Sequence, residues 1–228
     1  MIAALRRWRW QRQRNRLAEA AESRWQEWLA QEIPGNAHRF SDTSWLVIDT
    51  ETTGLDDDAT LVSIGWVAIR EGRIRLGEAE HHLLATTSDV GHSATVHRLT
   101  DSDLEAGRAP TEVLHALATA LVDHWPVFHG AALDVRLLDA AFRQAGAGGF
   151  PPPWVDTLQA EKHRRARREA PLKPGDLQLD ALRQHYRLPA HTQHHALSDA
   201  LATAELFCAQ ALANGQRSQP ELAELWAR

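Results

Sequence analysis

Trp45-Leu-Val-Ile-Asp-Thr-Glu-Thr-Thr-Gly-Leu55 runs four apolar residues into two carboxylates one residue apart, then two threonines and a glycine. The apolar run predicts a buried strand over about residues 45–49. Residues i and i+2 of a strand share a face, so Asp49 and Glu51 present two like charges side by side at its end. Such a pair is costly in a low dielectric unless one acid is protonated or a cation sits between them. Hard divalent cations take oxygen ligands, which makes Mg2+ or Mn2+ the natural occupant. Asp-x-Glu at a strand end is also a common, merely solvated tripeptide, so the reading needs support from elsewhere in the chain.

Outward from that stretch, strand-like runs at 61–70 and 73–84 meet at Glu71-Gly72, a hairpin turn. A helix over 111–124 leads into a short strand at 126–129. A second helix, over 131–145, is stopped by Gly146-Ala-Gly-Gly149. A short strand at 154–156 and helices over 157–169, 177–186 and 197–213 complete the pattern. Strands first, then strands interleaved with helices, give an α/β chain with one mixed sheet flanked by helices. Residues 1 to about 33 read as a helical appendage, because Leu5, Trp8, Leu17, Ala21, Trp25, Trp28 and Leu29 recur at roughly helical spacing. Its tryptophans and arginines suit phosphates and bases, or else pack on the body and face solvent.

Composition narrows the class. The 228 residues are 43% hydrophobic and 24% charged, with no apolar run near the roughly 20 residues of a membrane span. A short apolar start and the single Cys208 argue against secretion and an internal disulfide, so a cytoplasmic location is expected. The net charge of −5 is uneven: Arg6, Arg7, Arg9, Arg12, Arg14 and Arg16 stand with no acid among residues 1–17. The remainder holds 19 basic against 30 acidic residues. A basic arm on an acidic body excludes a passive nucleic-acid coat, and any nucleic acid that reaches the body needs a cation's help.

Two further segments bring acids. Val127-Phe-His-Gly-Ala-Ala-Leu-Asp134 delivers Asp134 into the first turn of a helix, where a carboxylate also complements the helix dipole. His194-His-Ala-Leu-Ser-Asp199 places Asp199 at another helix start with two histidines just before it. A histidine near a metal-binding acid can take a proton from an attacking water.

The ordered set DTETTGL, HGAALD and HHALSD resembles the DEDDh family of 3′-to-5′ exonucleases, which contains the exonuclease (epsilon) subunit of bacterial DNA polymerase III, RNase T and oligoribonuclease. The resemblance covers about residues 44–210 and implies a ribonuclease H-like mixed five-stranded sheet. It divides the chain into a helical extension at 1–40, an exonuclease domain at 44–210 and a short tail at 211–228. Carried over residue by residue, it makes Asp49, Glu51, Asp134 and Asp199 the ligands of two divalent cations, Mg2+ or Mn2+. His194, five residues before the last aspartate, becomes the general base, and His195 falls on a variable position. Thr53, Leu55 and His129 are assigned to substrate, Thr53 and Leu55 at the terminal nucleotide. Val96-His-Arg-Leu-Thr100 and Trp154-Val-Asp-Thr157 match peripheral segments. Gly130 and Leu133 depart from the asparagine and phenylalanine common in the second motif, which puts base stacking and substrate preference in question.

The resemblance implies release of nucleoside 5′-monophosphates from single-stranded 3′ ends, with DNA favoured and RNA the alternative. His163-Arg-Arg-Ala-Arg-Arg168 is placed to steer phosphates or to form a solvated charged face. Rival readings are a non-catalytic nucleic-acid-binding or interaction protein, and another two-metal nuclease or phosphatase. The arm also suits a homodimer, and residues 214–228 hold no persuasive polymerase-docking motif.

Overall fold

The structure is a computed structural model that describes residues 2–35, 38–54, 56, 59–85, 107–167, 169, 171–192 and 194–213. Leu55, the 96–100 segment, Arg168 and residues 214–228 lie outside the described residues.

Five strands, β1 (Trp45–Thr52), β2 (Leu61–Arg70), β3 (Arg73–Leu83), β4 (Trp125–Phe128) and β5 (Val155–Asp156), form one sheet in the order β3-β2-β1-β4-β5. β2 is antiparallel to both β1 and β3, whereas β1–β4 and β4–β5 are parallel. Among the described residues seven α-helices surround it: α1 (Ile2–Ala20), α2 (Ser23–Ala30), α3 (Pro110–Ala120), α4 (Ala132–Gln144), α5 (Thr157–Ala166), α6 (Leu179–His185) and α7 (Ala196–Ala213). The hairpin between β2 and β3 closes on Glu71 and Gly72, both at positive φ (53° and 70°), as a two-residue turn matched to strand twist requires.

Strand alternation assigns each side of β1 to a different layer. Leu46 and Ile48 join Ile64 and Trp66 in an apolar cluster with α2, α3 and α4, while Trp45 and Val47 join Val67, Val155 and Phe207 of α7 in a second. Asp49 and Glu51 therefore continue the α7 side of β1, and Thr50 the α4 side. The strand runs through both carboxylates to Thr52 rather than ending at residue 49, because Asp49 and Glu51 still pair with Gly65 and Ser63 of β2.

Gly65 decides how close α7 comes. A Cβ there would lie 2.3 Å from the backbone nitrogen of Leu197 and 2.5 Å from the carbonyl carbon of Ala196. Only glycine lets the start of α7 rest against the sheet beside Asp49.

The amino-terminal region is two helices rather than one, with a break at Ala21 and Glu22. Trp25 and Trp28 of α2 are buried against Phe142 of α4, with ring centroids 5.6 and 4.8 Å apart. Arg14 of α1 is buried, donates to the Trp28 carbonyl oxygen and lies 5.1 Å from the Trp125 ring centroid. Burial lowers its pKa to about 9, so it keeps its charge at neutral pH. α1 and α2 are thus bolted to the body by apolar burial and one buried cation, while Trp8 remains exposed.

Candidate active site

The chain brings three of its four singled-out acids into one cluster. Carboxylate oxygens of Asp49, Glu51 and Asp199 lie within 4.8 Å of one another. Asp49 and Glu51 come from the α7 side of β1, and Asp199 from the first turn of α7, which Gly65 admits to the sheet. Asp134, in the first turn of α4, arrives from the other side of the strand: the Thr50 hydroxyl donates to its Oδ1 at 2.7 Å.

Electrostatics mark the cluster as unfinished. Burial, then the charges of Asp134, Asp199 and Glu51, raise Asp49 well above the usual carboxylate range. Burial, then Asp199 and Asp134, push Glu51 up to about 8. Burial also raises Asp134 to about 6, against the hydrogen bond from Thr50. Left alone, Asp49 and Glu51 would hold protons at neutral pH, whereas Asp134 would be mostly ionised. The trio offers oxygen donors only, with no thiol or imidazole among them, a set that fits a hard divalent cation.

The loop before α7 supplies the histidines. Asp199 holds it by accepting the backbone N–H of His194 (2.9 Å) and of His195 (3.3 Å) on Oδ2. The His194 side chain is exposed, lines a cleft of about 340 Å³ with Asp49, His129, Asp180 and Asp199, and has its backbone at φ 62°, in the left-handed region. His195 turns away and stacks on His81 of β3, with ring centroids 4.4 Å apart.

The sequence reading missed His191. Its Nε2 donates to Asp199 Oδ1 at 2.7 Å and its Nδ1 stands 3.2 Å from Asp180 Oδ1, unaligned for a hydrogen bond, so the ring orients a clustered carboxylate from behind. No periodicity marks a loop residue eight positions before Asp199, in a chain with 13 histidines. Arg183, also missed, is buried in α6 and donates to the carbonyl oxygens of Pro189 (2.7 Å) and Ala202 (2.6 Å), which pins the loop to α7.

The residues assigned to substrate are placed less simply. His129 lines the cleft, but Nε2–H donates to the Leu177 carbonyl at 3.0 Å and Nδ1 accepts from the Thr157 hydroxyl at 2.8 Å. Burial lowers its pKa, in keeping with that neutral ring. Thr53 accepts the Thr60 N–H on its hydroxyl oxygen at 3.0 Å and donates its own backbone N–H to the Thr60 carbonyl, closing the loop after β1. Asp156 caps α5 and accepts the Gly130 and Ala131 N–H groups at 2.9 and 3.1 Å, fixing the turn into α4.

Two arginines of the expected phosphate-steering run at 163–168 are consumed inside the protein. Arg164 and Arg165 both bond the buried Glu161, to which the Tyr186 hydroxyl also donates at 2.8 Å. A buried carboxylate demands such partners, and it takes the run's first two arginines out of solution.

The family model described as Exonuclease, of the RNase T type, matches residues 46–207, which contain every acid of the cluster. The chain belongs to the DEDDh exonuclease family. Within curated proteins the chain is 31% identical over 170 residues to the DNA polymerase III PolC-type of Thermotoga maritima, an alignment that takes in 74% of the chain. It spans only 12% of that polymerase's length. Solved structures share the fold. The nuclease domain of 3′hExo, a DEDDh family member solved bound to rAMP, aligns with a TM-score of 0.65 at 9% identity, over 85% of this chain and 99% of that one. Exonuclease X, solved with 5′ overhanging duplex DNA, aligns with a TM-score of 0.59 at 24% identity, over 79% and 99%. The sheet order and flanking helices are those of a ribonuclease H-like fold. Among the described residues no helix is long and apolar enough to cross a membrane.

Proposed function

We propose that the chain is a 3′-to-5′ exonuclease that releases nucleoside 5′-monophosphates from single-stranded ends, with residues 44–210 as the catalytic domain. The convergence of Asp49, Glu51 and Asp199 within 4.8 Å, with Glu51 pushed up to about 8, carries this reading. Two divalent cations, Mg2+ or Mn2+, would be held by Asp49, Glu51 and Asp199, with Asp134 beside them, and when bound would stabilise charge on the attacking and leaving oxygens. Asp49 and Glu51 supply a rigid carboxylate face on β1, and Asp199 closes it from α7. His194, exposed at the mouth of the same cleft, takes the proton from the attacking water. The 3′-oxygen of the penultimate nucleotide leaves. The family resemblance assigns Thr53 and Leu55 to the terminal nucleotide, and His129, with both ring nitrogens engaged, offers it only a ring face.

DNA is favoured by the identity to a DNA polymerase. The RNA alternative draws on the rAMP bound by a structural relative. End-labelled DNA and RNA oligonucleotides of matched sequence, incubated with Mn2+, Mg2+ or EDTA, test the reading. Metal-dependent laddering from the 3′ end, lost in Asp49→Asn and His194→Ala and kept in His195→Ala, is the expected result. Equal loss in the two histidine variants would remove His194 from its role, and absence of cleavage in every metal would leave a binding protein.

A further inference from the structure

Helix α1 presents to solvent a face that nothing in the exonuclease site uses. Its inner side is spent on the body: Arg7 donates to the Ile33 carbonyl at 3.0 Å, Gln11 accepts the Ile33 N–H at 2.8 Å, and Arg14 is buried. On the opposite side Leu5, Trp8, Arg9, Arg12 and Arg16 share a single helix face, with Leu5, Arg9, Arg12 and Arg16 at three- and four-residue spacing and Trp8 beside Arg9. Leu5 and Trp8 are 59% and 56% exposed. Among the described residues Arg9, Arg12 and Arg16 have no ion-pair or hydrogen-bond partner. No acid precedes Glu19. The Arg12 guanidinium lies 5.4 Å from the Trp8 ring centroid, which backs one face of the indole and leaves the other to solvent.

Arginine and tryptophan mixed on one face differ from a membrane-surface helix, whose apolar and basic residues segregate to opposite sides. Free guanidinium groups interleaved with an open indole match a polyanion with stackable rings. On a body that is otherwise strongly acidic, this is the place where such a chain is attracted rather than repelled. A groove of about 890 Å³ continues from the helix. It is walled by Trp10, with Arg6 4.9 Å from its ring centroid, and by Trp154, and it ends at Ala131 and Ala132, where the helix bearing Asp134 begins.

We propose that the outer face of α1 holds the single strand upstream of the 3′ end that enters the acid cleft. This deepens the exonuclease reading and rests on it for the identity of the strand. Arg9, Arg12 and Arg16 take successive phosphates, and Trp8 stacks a base against the ring face that Arg12 leaves open.

The test uses the full chain in EDTA, with fluorescein-labelled oligo-dT and oligo-U of 6 and 24 nucleotides, read by anisotropy over a potassium chloride series. Arg9→Ala/Arg12→Ala/Arg16→Ala should weaken binding of the 24-mers about tenfold and flatten the log K against log salt slope by about 2, as three lost single-strand phosphate contacts require. Trp8→Ala should weaken it about fivefold or more, with Trp8→Phe largely restoring it. The 6-mers should respond less. Arg24→Ala/Arg39→Ala/Arg73→Ala removes equal charge from other exposed positions, and circular dichroism checks that each variant is folded. The proposal is overturned if this control weakens the 24-mers as much as the α1 variant. It is also overturned if the α1 variant binds them like wild type, if anionic vesicles are bound instead of oligonucleotides, or if Trp8→Ala merely dissociates a dimer. Laddering by wild type in Mn2+ separates the two readings. With laddering present and α1 silent, only this inference fails. With laddering absent and 24-mer binding still dependent on α1, the exonuclease reading fails and the nucleic-acid face stands.

Discussion

Two buried glutamates meet opposite fates in this molecule. Burial would raise Glu161, but hydrogen bonds from Arg164, Arg165 and Tyr186 outweigh it and bring its pKa down to about 2. Glu51 is similarly inaccessible, yet burial and then the charges of Asp199 and Asp134 push its pKa up to about 8. Where a carboxylate serves only the scaffold, the chain supplies its counter-charge. Where a carboxylate belongs to the acid cluster, burial and its like-charged neighbours raise it instead. The same contrast separates the two arginine-rich helices: α5 turns Arg164 and Arg165 inward onto Glu161, while α1 turns Arg9, Arg12 and Arg16 outward.

The sharpest way to break the comparison is to neutralise one member of each set. Glu51→Gln should abolish nuclease activity by about 1000-fold or more. In EDTA at pH 8 it should raise the melting temperature by about 2–4 °C, because it removes a destabilising charge. Glu161→Gln should do the reverse, costing about 3 kcal/mol in denaturant unfolding through the stranded arginines while retaining cleavage. If both variants lost stability alike, the acid cluster would be compensated from within the protein.

Gly65→Ala attacks the geometry instead of the charge. A Cβ 2.3 Å from the Leu197 nitrogen must push α7 outward and carry Asp199 away from Asp49. We expect about 100-fold less activity and a loss of about 1–3 kcal/mol. His191→Ala should be milder, lowering activity about 10–100-fold and raising the Mn2+ concentration needed for half-maximal rate, since Asp199 loses the donor that orients it. A drop in maximal rate without a changed Mn2+ requirement would place His191 outside that role.

The smallest effect is in pH. A carboxyl raised in the folded state binds more protons there than in the unfolded chain, so stability falls as pH rises between its two pKa values. For Glu51 that window runs from the ordinary 4.5 to about 8. Melting temperature in EDTA should therefore decline from pH 5 to pH 8, and Mn2+ should reverse the trend. Glu161, depressed to about 2, contributes stability that is complete above its ordinary 4.5 and is lost only as pH falls toward 2.

How much of this could be read in advance follows the range of the forces involved. β1, β2, α4 and α7 were legible because their apolar periodicity is local and regular. The four acids were singled out by strand alternation, helix starts and a family resemblance, and the fold brings Asp49, Glu51 and Asp199 together. The break between α1 and α2 was not, since the tryptophan spacing runs on across Ala21 and Glu22 while the packing of Trp25 and Trp28 on Phe142 sets a new direction. The basic run at 163–168 misled because charge on a helix says nothing of a buried partner, and Glu161 precedes that run by two residues. His191 carried no signal at all, because its partners Asp180 and Asp199 meet it only after the loop folds.

By itself, then, the sequence determined the α/β character, the carboxylates on β1 and the arginine asymmetry between arm and body, because alternation, helical spacing and charge are properties of neighbours along the chain. Tertiary structure alone decided which arginines stay free and which histidine orients Asp199. It also decided how near α7 approaches the sheet over Gly65, because each depends on burial and on contacts between residues far apart in sequence.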